Sequence, residues 1–138
     1  MQGRQMIYSA EEFVKLRESP IKSEYDRAAM DEADISIWRD IIKKYPNHRK
    51  WVAHNKTVPI EILEELCKFD TGVRQFVASK RKLTVELFEK LSNDPDSTVR
   101  IAIAANKKTP IGIIKKLLND FDSDVASSAA YNYKNRRN

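Results

Sequence analysis

Positions 26 residues apart repeat one another along much of this chain. Asp70, Asp96 and Asp122 share one register, as do Val73, Val99 and Val125, and Ala78, Ala104 and Ala130. Arg74 and Arg100 keep it, where the last copy has Ala126, and Lys80, Asn106 and Asn132 follow the alanines by two residues. An earlier copy is one residue shorter: Arg49, Val52, Ala53 and Asn55 precede Arg74, Val77, Ala78 and Lys80 by 25. The fullest segments are VAHNKTVPIEIL (Val52–Leu63) and IAIAANKKTPIGII (Ile101–Ile114), each with Ala, then Asn two residues on, then Pro six residues on. A sustained period of this length marks an array of small structural units. Residues 34–132 are read as about four repeats of 25–26 residues, three full and the first divergent.

Each unit predicts two short helices. The first starts near Pro59, Thr84 or Pro110, with apolar positions at i, i+1 and i+4 on one helical stripe. These are Ile62, Leu63, Leu66; Leu87, Phe88, Leu91; and Ile113, Ile114, Leu117. Thr109–Pro110 is a start signal, Thr as cap and Pro at the first helical position. The second helix begins after the N-cap candidates Asp70, Asp96 and Asp122 and buries Val73, Phe76, Val77; Val99, Ala102, Ile103; and Val125, Ala129. It is expected to stop near Asn55, Lys80, Asn106 or Asn132, because Asn tolerates the left-handed conformation that ends helices. A pair this short cannot bury its own apolar face, so neighbours must stack. The expected fold is an all-α solenoid, a superhelix of short helical repeats.

Before the repeats, residues 1–8 are expected to be loose. Ser9 and Glu12 form a capping box. Phe13 and Leu16 anchor a helix ending near Glu18 and broken by Pro20. A second helix is expected from about Ser23 to Ala33, with Tyr25, Ala28, Ala29 and Met30 inward. Residues 9–33 are assigned as an N-terminal helical cap. Asp34 caps a helix through Trp38, Ile41 and Ile42 to Tyr45, and Pro46 opens the helix that holds Trp51. Trp38 and Trp51 are expected core aromatics. At the other end, small residues at Ala126–Ala130 predict thin packing, no capping helix, and a frayed basic tail at 133–138. No low-complexity linker appears, so residues 1–138 are kept as a single domain.

Three Gly, five Pro and 33% charged residues suit a helical chain. Cys67 is the only cysteine, which favours a reducing compartment and a small core thiol. No apolar run approaches transmembrane length, and a cytoplasmic location is expected. The net charge of +5 is concentrated towards the C-terminus, where residues 107–138 carry seven basic and three acidic residues.

The segments VAHNKTVPIEIL, DPDSTVRIAIAANKKTP (Asp94–Pro110) and FDTGVRQFVASKRKLTVELF resemble the leucine-rich repeat variant family, relatives of the HEAT-like helical repeats. The pattern SAEEF (Ser9–Phe13), Leu16–Arg17 and WVAHNKTVP (Trp51–Pro59) is similar to small bacterial repeat-containing proteins. That resemblance implies a right-handed superhelix of stacked helices, sometimes with one helix replaced by a tight 3₁₀ turn. Lys80 in place of Asn, and Ala126 in place of Arg, depart from the pattern.

No catalytic constellation stands out, and no cofactor or metal is implied. His48 and His54 with the distant Cys67 make no metal set, and there is no phosphate-binding Gly-rich loop. Arg49, Arg74 and Arg100 form a ladder. With Asp70, Asp96, Asp122, Asn55, Asn106 and Asn132 it is read as structural, each Arg pairing with a neighbouring Asp (Asp70, Asp96) or helix-end carbonyls. Candidate partner-binding residues fall in two sets. The loop after each second helix carries Lys56, Lys80, Arg81, Lys82, Lys107, Lys108 and Lys134, a basic ridge if the loops stack. Cations at helix C-termini explain the same residues locally. The second helices present Lys50, Gln75, Ile101 and Ser127 with His54, Ser79, Ala105 and Tyr131 on the face expected to be concave. The leading expectation is a non-catalytic protein-binding module, an adaptor or immunity-type protein. The alternative is a nucleic-acid-binding repeat protein that uses the basic edge. A hydrolase or glycosylase built around Trp51 and His54 is the third reading. No small-molecule substrate and no membrane contact are implied.

Overall fold

Alternating caps and apolar stripes produce ten α-helices in the computed structural model, which describes residues 5–136. The chain divides into two compact units, Met1–Lys68 and Phe69–Asn138, where the sequence reading kept one domain. The seam falls in the short joint of residues 67–70, which carries no Pro, Gly or low-complexity signal to mark it.

The first unit holds α1 (Ala10–Glu18), α2 (Lys22–Met30), α3 (Ile35–Lys44), a 3₁₀ turn at Pro46–His48, α4 (Arg49–His54) and α5 (Ile60–Leu66). Ser9 accepts from the Glu12 amide at 3.0 Å, while the Glu12 carboxylate reaches back past it to the Tyr8 amide at 2.7 Å. Asp34 caps α3 through the Ser36 amide at 3.0 Å. α1, α3 and α5 pack in one row, with α2 against α4 behind them. Phe13 meets Trp38 edge-on in the core at 5.6 Å between ring centroids, both fully buried.

Three expectations for this region are corrected. Residues 5–8 are not loose, because β1 (Met6–Ile7) pairs in parallel with β2 (Glu32–Ala33) and Ile7 is buried. Residues 1–4 lie outside the described residues. α2 stops at Met30 rather than Ala33. The Asp31 carbonyl is claimed by Asn55 Nδ2 at 3.0 Å and Thr57 Oγ1 at 3.2 Å, and the chain turns extended there. Of its four expected inward residues only Ala28 is buried; Tyr25 and Met30 are exposed.

The two cap helices keep the register of the repeats that follow. Phe13, Trp38 and Leu63 are 25 apart, as are Leu16, Ile41 and Leu66, and Ala28, Ala53 and Ala78; all nine are buried. Residues 9–33 are therefore a further repeat in sequence register.

The second unit holds α6 (Thr71–Ala78), α7 (Val85–Ser92), α8 (Ser97–Ala105), α9 (Ile111–Leu117) and α10 (Ser123–Asn135). α7 packs on α9, and α6, α8 and α10 form the other row. Asp70, Asp96 and Asp122 each cap a helix by accepting the amide two residues on. Val73, Val77, Val99, Ile103, Val125 and Ala129 are buried, but Phe76 and Ala102 are half-buried.

Two helix signals work differently from their sequence reading. Thr109 does not cap α9. Its hydroxyl donates back to the Ile103 carbonyl at 2.7 Å and is fully buried, and Pro110 itself is the N-cap. The Asn residues do not end helices by a left-handed turn: Asn55 (φ −60°, ψ 135°) and Asn106 (φ −69°, ψ 121°) are extended. Asn132 ends nothing, since α10 runs on to Asn135 and Arg136 follows as its C-cap. The expected frayed tail is thus helical through residue 135, while residues 137–138 lie outside the described residues. That extension explains how the last repeat finishes: within the helix, the Ala130 carbonyl is taken by the amide four residues on.

Candidate functional site

The asparagines fix how one turn lies against the next. Asn106 Nδ2 donates to the Ala78 and Lys80 carbonyls at 2.8 and 2.7 Å, and Asn132 Nδ2 to those of Ala104 and Asn106 at 2.7 and 3.0 Å. Asn106 Oδ1 accepts the Lys108 amide at 2.9 Å, which folds its own turn. In the first unit Asn55 does the same to α2, through the Ala28 carbonyl at 2.9 Å and the Thr57 amide at 2.7 Å. All three asparagines are buried, so each amide satisfies carbonyls that a short helix leaves open at its end.

The arginine ladder is structural in the same sense, with different acids from those expected. Arg74 forks onto Asp94 at 2.8 and 3.1 Å and donates to the Phe69 carbonyl at 2.6 Å. Arg100 forks onto Asp120 at 2.9 and 3.2 Å and donates to the Asp94 carbonyl at 2.8 Å. Asp70 and Asp96 are occupied as caps, so the partner is the Asp two residues before the next cap. The shared spacing of 20, Arg74 to Asp94 and Arg100 to Asp120, was the available signal. Position 69, 20 beyond Arg49, is Phe, and Arg49 Nε donates to the Ile42 carbonyl at 2.7 Å. The hydrogen bond that Arg74 donates to the Asp94 carboxylate is the main influence holding its guanidinium above the ordinary range. At Asp96, hydrogen bonds from the Thr98 hydroxyl and amide hold the carboxyl below its ordinary range.

These contacts decide where unpaired charge is left. Residues 1–68 contain twelve basic and twelve acidic residues and are neutral; residues 69–138 contain thirteen and eight, the whole +5. Six of those eight acids are engaged: Asp94 and Asp120 by arginines, Asp70, Asp96 and Asp122 as caps, and Glu89 by Lys116 at 3.0 Å. Arg81, Lys82, Lys107, Lys108 and Lys134 are exposed, with no carboxylate at ion-pair distance among the described residues. The asparagine bonds bring residues 80, 106 and 132 together, and Arg136 ties the last helix to the Lys107 carbonyl at 2.6 Å and to the Thr109 carbonyl. Arg81, Lys82, Lys107 and Lys108 thus sit in turns that the asparagine bonds hold together, whereas Lys134, expected in a loop, lies within α10.

The remaining candidates separate. Gln75 on α6 and Ile101 on α8 share one register position, and Ser79, the C-cap of α6, and Tyr131 on α10 share another, on a row of packed helices. Gln75 and Ile101 are half-buried, and Tyr131 is 72% exposed. Ser79 donates its hydroxyl to the Gln75 carbonyl at 3.0 Å. Lys50, His54 and Lys56 belong to the first unit, where Lys50 and His54 flank Trp51. Trp51 is half-buried, not a core residue, and forms the wall of a cleft with Arg17, Tyr25 and Asp26 that the sequence reading did not assemble. Cys67 is buried, its thiol 3.4 Å from the Leu63 carbonyl. Among the described residues, no group of three His, Cys, Asp or Glu converges as a metal site, and no helix is long and apolar enough to cross a membrane.

No family model, no curated protein and no solved structure matches this chain.

Proposed function

We propose that this chain is a non-catalytic helical-repeat module that binds the acidic surface of another protein through the basic edge of residues 69–138. The paired helical rows in each unit, and the resemblance to leucine-rich repeat variant sequences, support a right-handed superhelix. The observation that carries the reading is that Arg81, Lys82, Lys107, Lys108 and Lys134 are exposed and, among the described residues, have no carboxylate at ion-pair distance. Some exposed cations elsewhere are neutralised, as Lys22 is by Asp26 at 2.7 Å and Arg39 by Glu65 at 2.7 Å. A row of like charges weakens the folded state by self-repulsion, and it speeds and orients encounter with an opposite field. The adjoining Gln75, Ile101 and Tyr131 supply the mild, partly apolar surface of a protein contact. The role is that of an adaptor or immunity-type protein in the cytoplasm, a reducing compartment that suits a lone thiol.

The test is affinity capture with wild type beside the Lys82→Glu/Lys107→Glu/Lys108→Glu variant, each captured species then titrated as a purified protein. A stoichiometric acidic partner that binds wild type and not the variant supports the reading. An unchanged partner set sinks it. Binding of a nucleic acid is the second reading, favoured because the same exposed cations suit a phosphate backbone. If five cations contact phosphates, log Kobs should fall with log salt at a slope of about −4 to −5 on duplex DNA. Absence of salt-sensitive binding to duplex and single-stranded DNA and RNA removes that reading.

A further inference from the structure

In the first unit, the Arg17 guanidinium lies over the Trp51 indole, its carbon 3.6 Å from the ring centroid, within stacking distance. Stacking uses the face of the guanidinium and leaves its in-plane N–H donors pointing outward in a fixed fork. Among the described residues no carboxylate or carbonyl accepts from that fork. The group stands at the wall of a cleft of about 390 Å³, floored by the small residues Ala28 and Ala29. Lys50 brings its ammonium 5.4 Å from the same ring, and His54 packs edge-on at 5.7 Å. A second hollow continues past Arg17 and Trp51 towards His48.

The acids nearby are occupied. Asp26, on the cleft wall, holds Lys22 at 2.7 Å, and Glu18 holds His48 Nε2 at 3.1 Å. What remains without a carboxylate partner is a guanidinium and an ammonium over one indole. We infer that this cleft is an oxyanion-binding site, with Arg17 the bidentate donor, Trp51 its platform and Lys50 a supplementary charge. Carboxylate and phosphate both match the fork. A flat or apolar group attached to the anion would rest between Tyr25 and the Ala28–Ala29 floor. The site is separate from the basic edge of residues 69–138, so either can fail without the other.

The probes are inorganic phosphate and a blocked aspartyl-glutamyl peptide, titrated calorimetrically and by tryptophan emission. The protein carries Lys82→Glu, Lys107→Glu and Lys108→Glu to silence the basic edge. Trp38 is fully buried, so a ligand-induced emission change reports Trp51. Saturable binding of at least one probe is expected, with affinity reduced about tenfold to a hundredfold in Arg17→Gln, the loss of a charged hydrogen-bonded fork. Should that variant lose its helical ellipticity, Arg17→Lys serves instead, keeping the charge and losing the fork, and is expected to bind at least about fivefold more weakly. Phosphate alone saturating assigns a phosphate ligand, and the peptide alone an acidic protein segment. Saturation by neither probe, or equal affinity in a folded Arg17 variant, overturns the inference.

Discussion

Asp120→Ala tests the claim that the arginine ladder is structural. The Arg100 and Asp120 side chains are 6% and 9% exposed, so solvent cannot replace the lost carboxylate. The substitution strips the partners from Arg100 Nε (2.9 Å) and one terminal nitrogen (3.2 Å), while the other keeps the Asp94 carbonyl. It also removes the acceptor of the Asp122 amide at 2.9 Å, which shapes the turn into α10. Leaving a buried charge unpaired costs about 3–5 kcal/mol, and the lost turn bond adds about 1 kcal/mol. At Arg74–Asp94 the arginine is 19% exposed, and water recovers part of the loss. Asp94→Ala should therefore cost less, roughly 2–3 kcal/mol. The double variant Arg100→Met/Asp120→Leu removes both charges and should be more stable than Asp120→Ala.

Urea unfolding followed by far-UV ellipticity measures all three. The sign with pH can be worked out. Burial pushes the Asp120 carboxyl up, but the Arg100 hydrogen bond, the Asp122 amide and the Arg100 charge together hold it below the ordinary 3.8. A depressed folded value contributes stability that is present above the unfolded pKa and lost as pH falls through the folded one. Stability should thus drop below pH 3.8 in wild type and less steeply in Asp120→Ala. An Asp120→Ala cost under about 1 kcal/mol, the level of an ordinary substitution, or a double variant less stable than Asp120→Ala, would refute the reasoning.

Other outcomes follow from the same structure. Asn106→Ala leaves the Ala78 and Lys80 carbonyls and the Lys108 amide without their partner, and should cost about 2–4 kcal/mol in urea unfolding. Phe13→Ala opens a cavity beside Trp38 and should cost about 3–5 kcal/mol, with the Trp38 emission shifted to longer wavelength. Cys67 should react with a water-soluble thiol reagent only as the protein opens. Labelling in native buffer at the rate of the denatured chain would count against its burial. The Lys82→Glu/Lys107→Glu/Lys108→Glu variant should keep the wild-type unfolding free energy within about 0.5 kcal/mol, because surface changes without partners perturb folding little.

The repeat register marked the helices correctly where local chemistry sets them. Asp70, Asp96 and Asp122 cap because a short carboxylate bonds an amide two residues away. The buried stripes from Ile62 to Leu117 follow from helical period and apolar character. Readings failed where a distant group intervened. α2 ends early because Asn55 and Thr57 take the Asp31 carbonyl, and Thr109 turns back to Ile103. Trp51 sits in a cleft because Arg17, 34 residues earlier in the chain, covers its face.

What the chain encodes locally, then, is helix position, cap and buried face, since these depend on contacts within about four residues and repeat with the period. The fate of each polar side chain was left to tertiary structure. Asn106 ends α8 in an extended rather than a left-handed conformation and became a clamp on the preceding turn, and Asp94 and Asp120, not the caps, became the acids of the ladder. Whether Lys82, Lys107 and Lys108 merely balanced helix ends or stood as an uncompensated row depended on which acids had been consumed elsewhere. That depends on three-dimensional distance, because a charge is neutralised by whatever lies within a few ångströms, however far away it is in the chain.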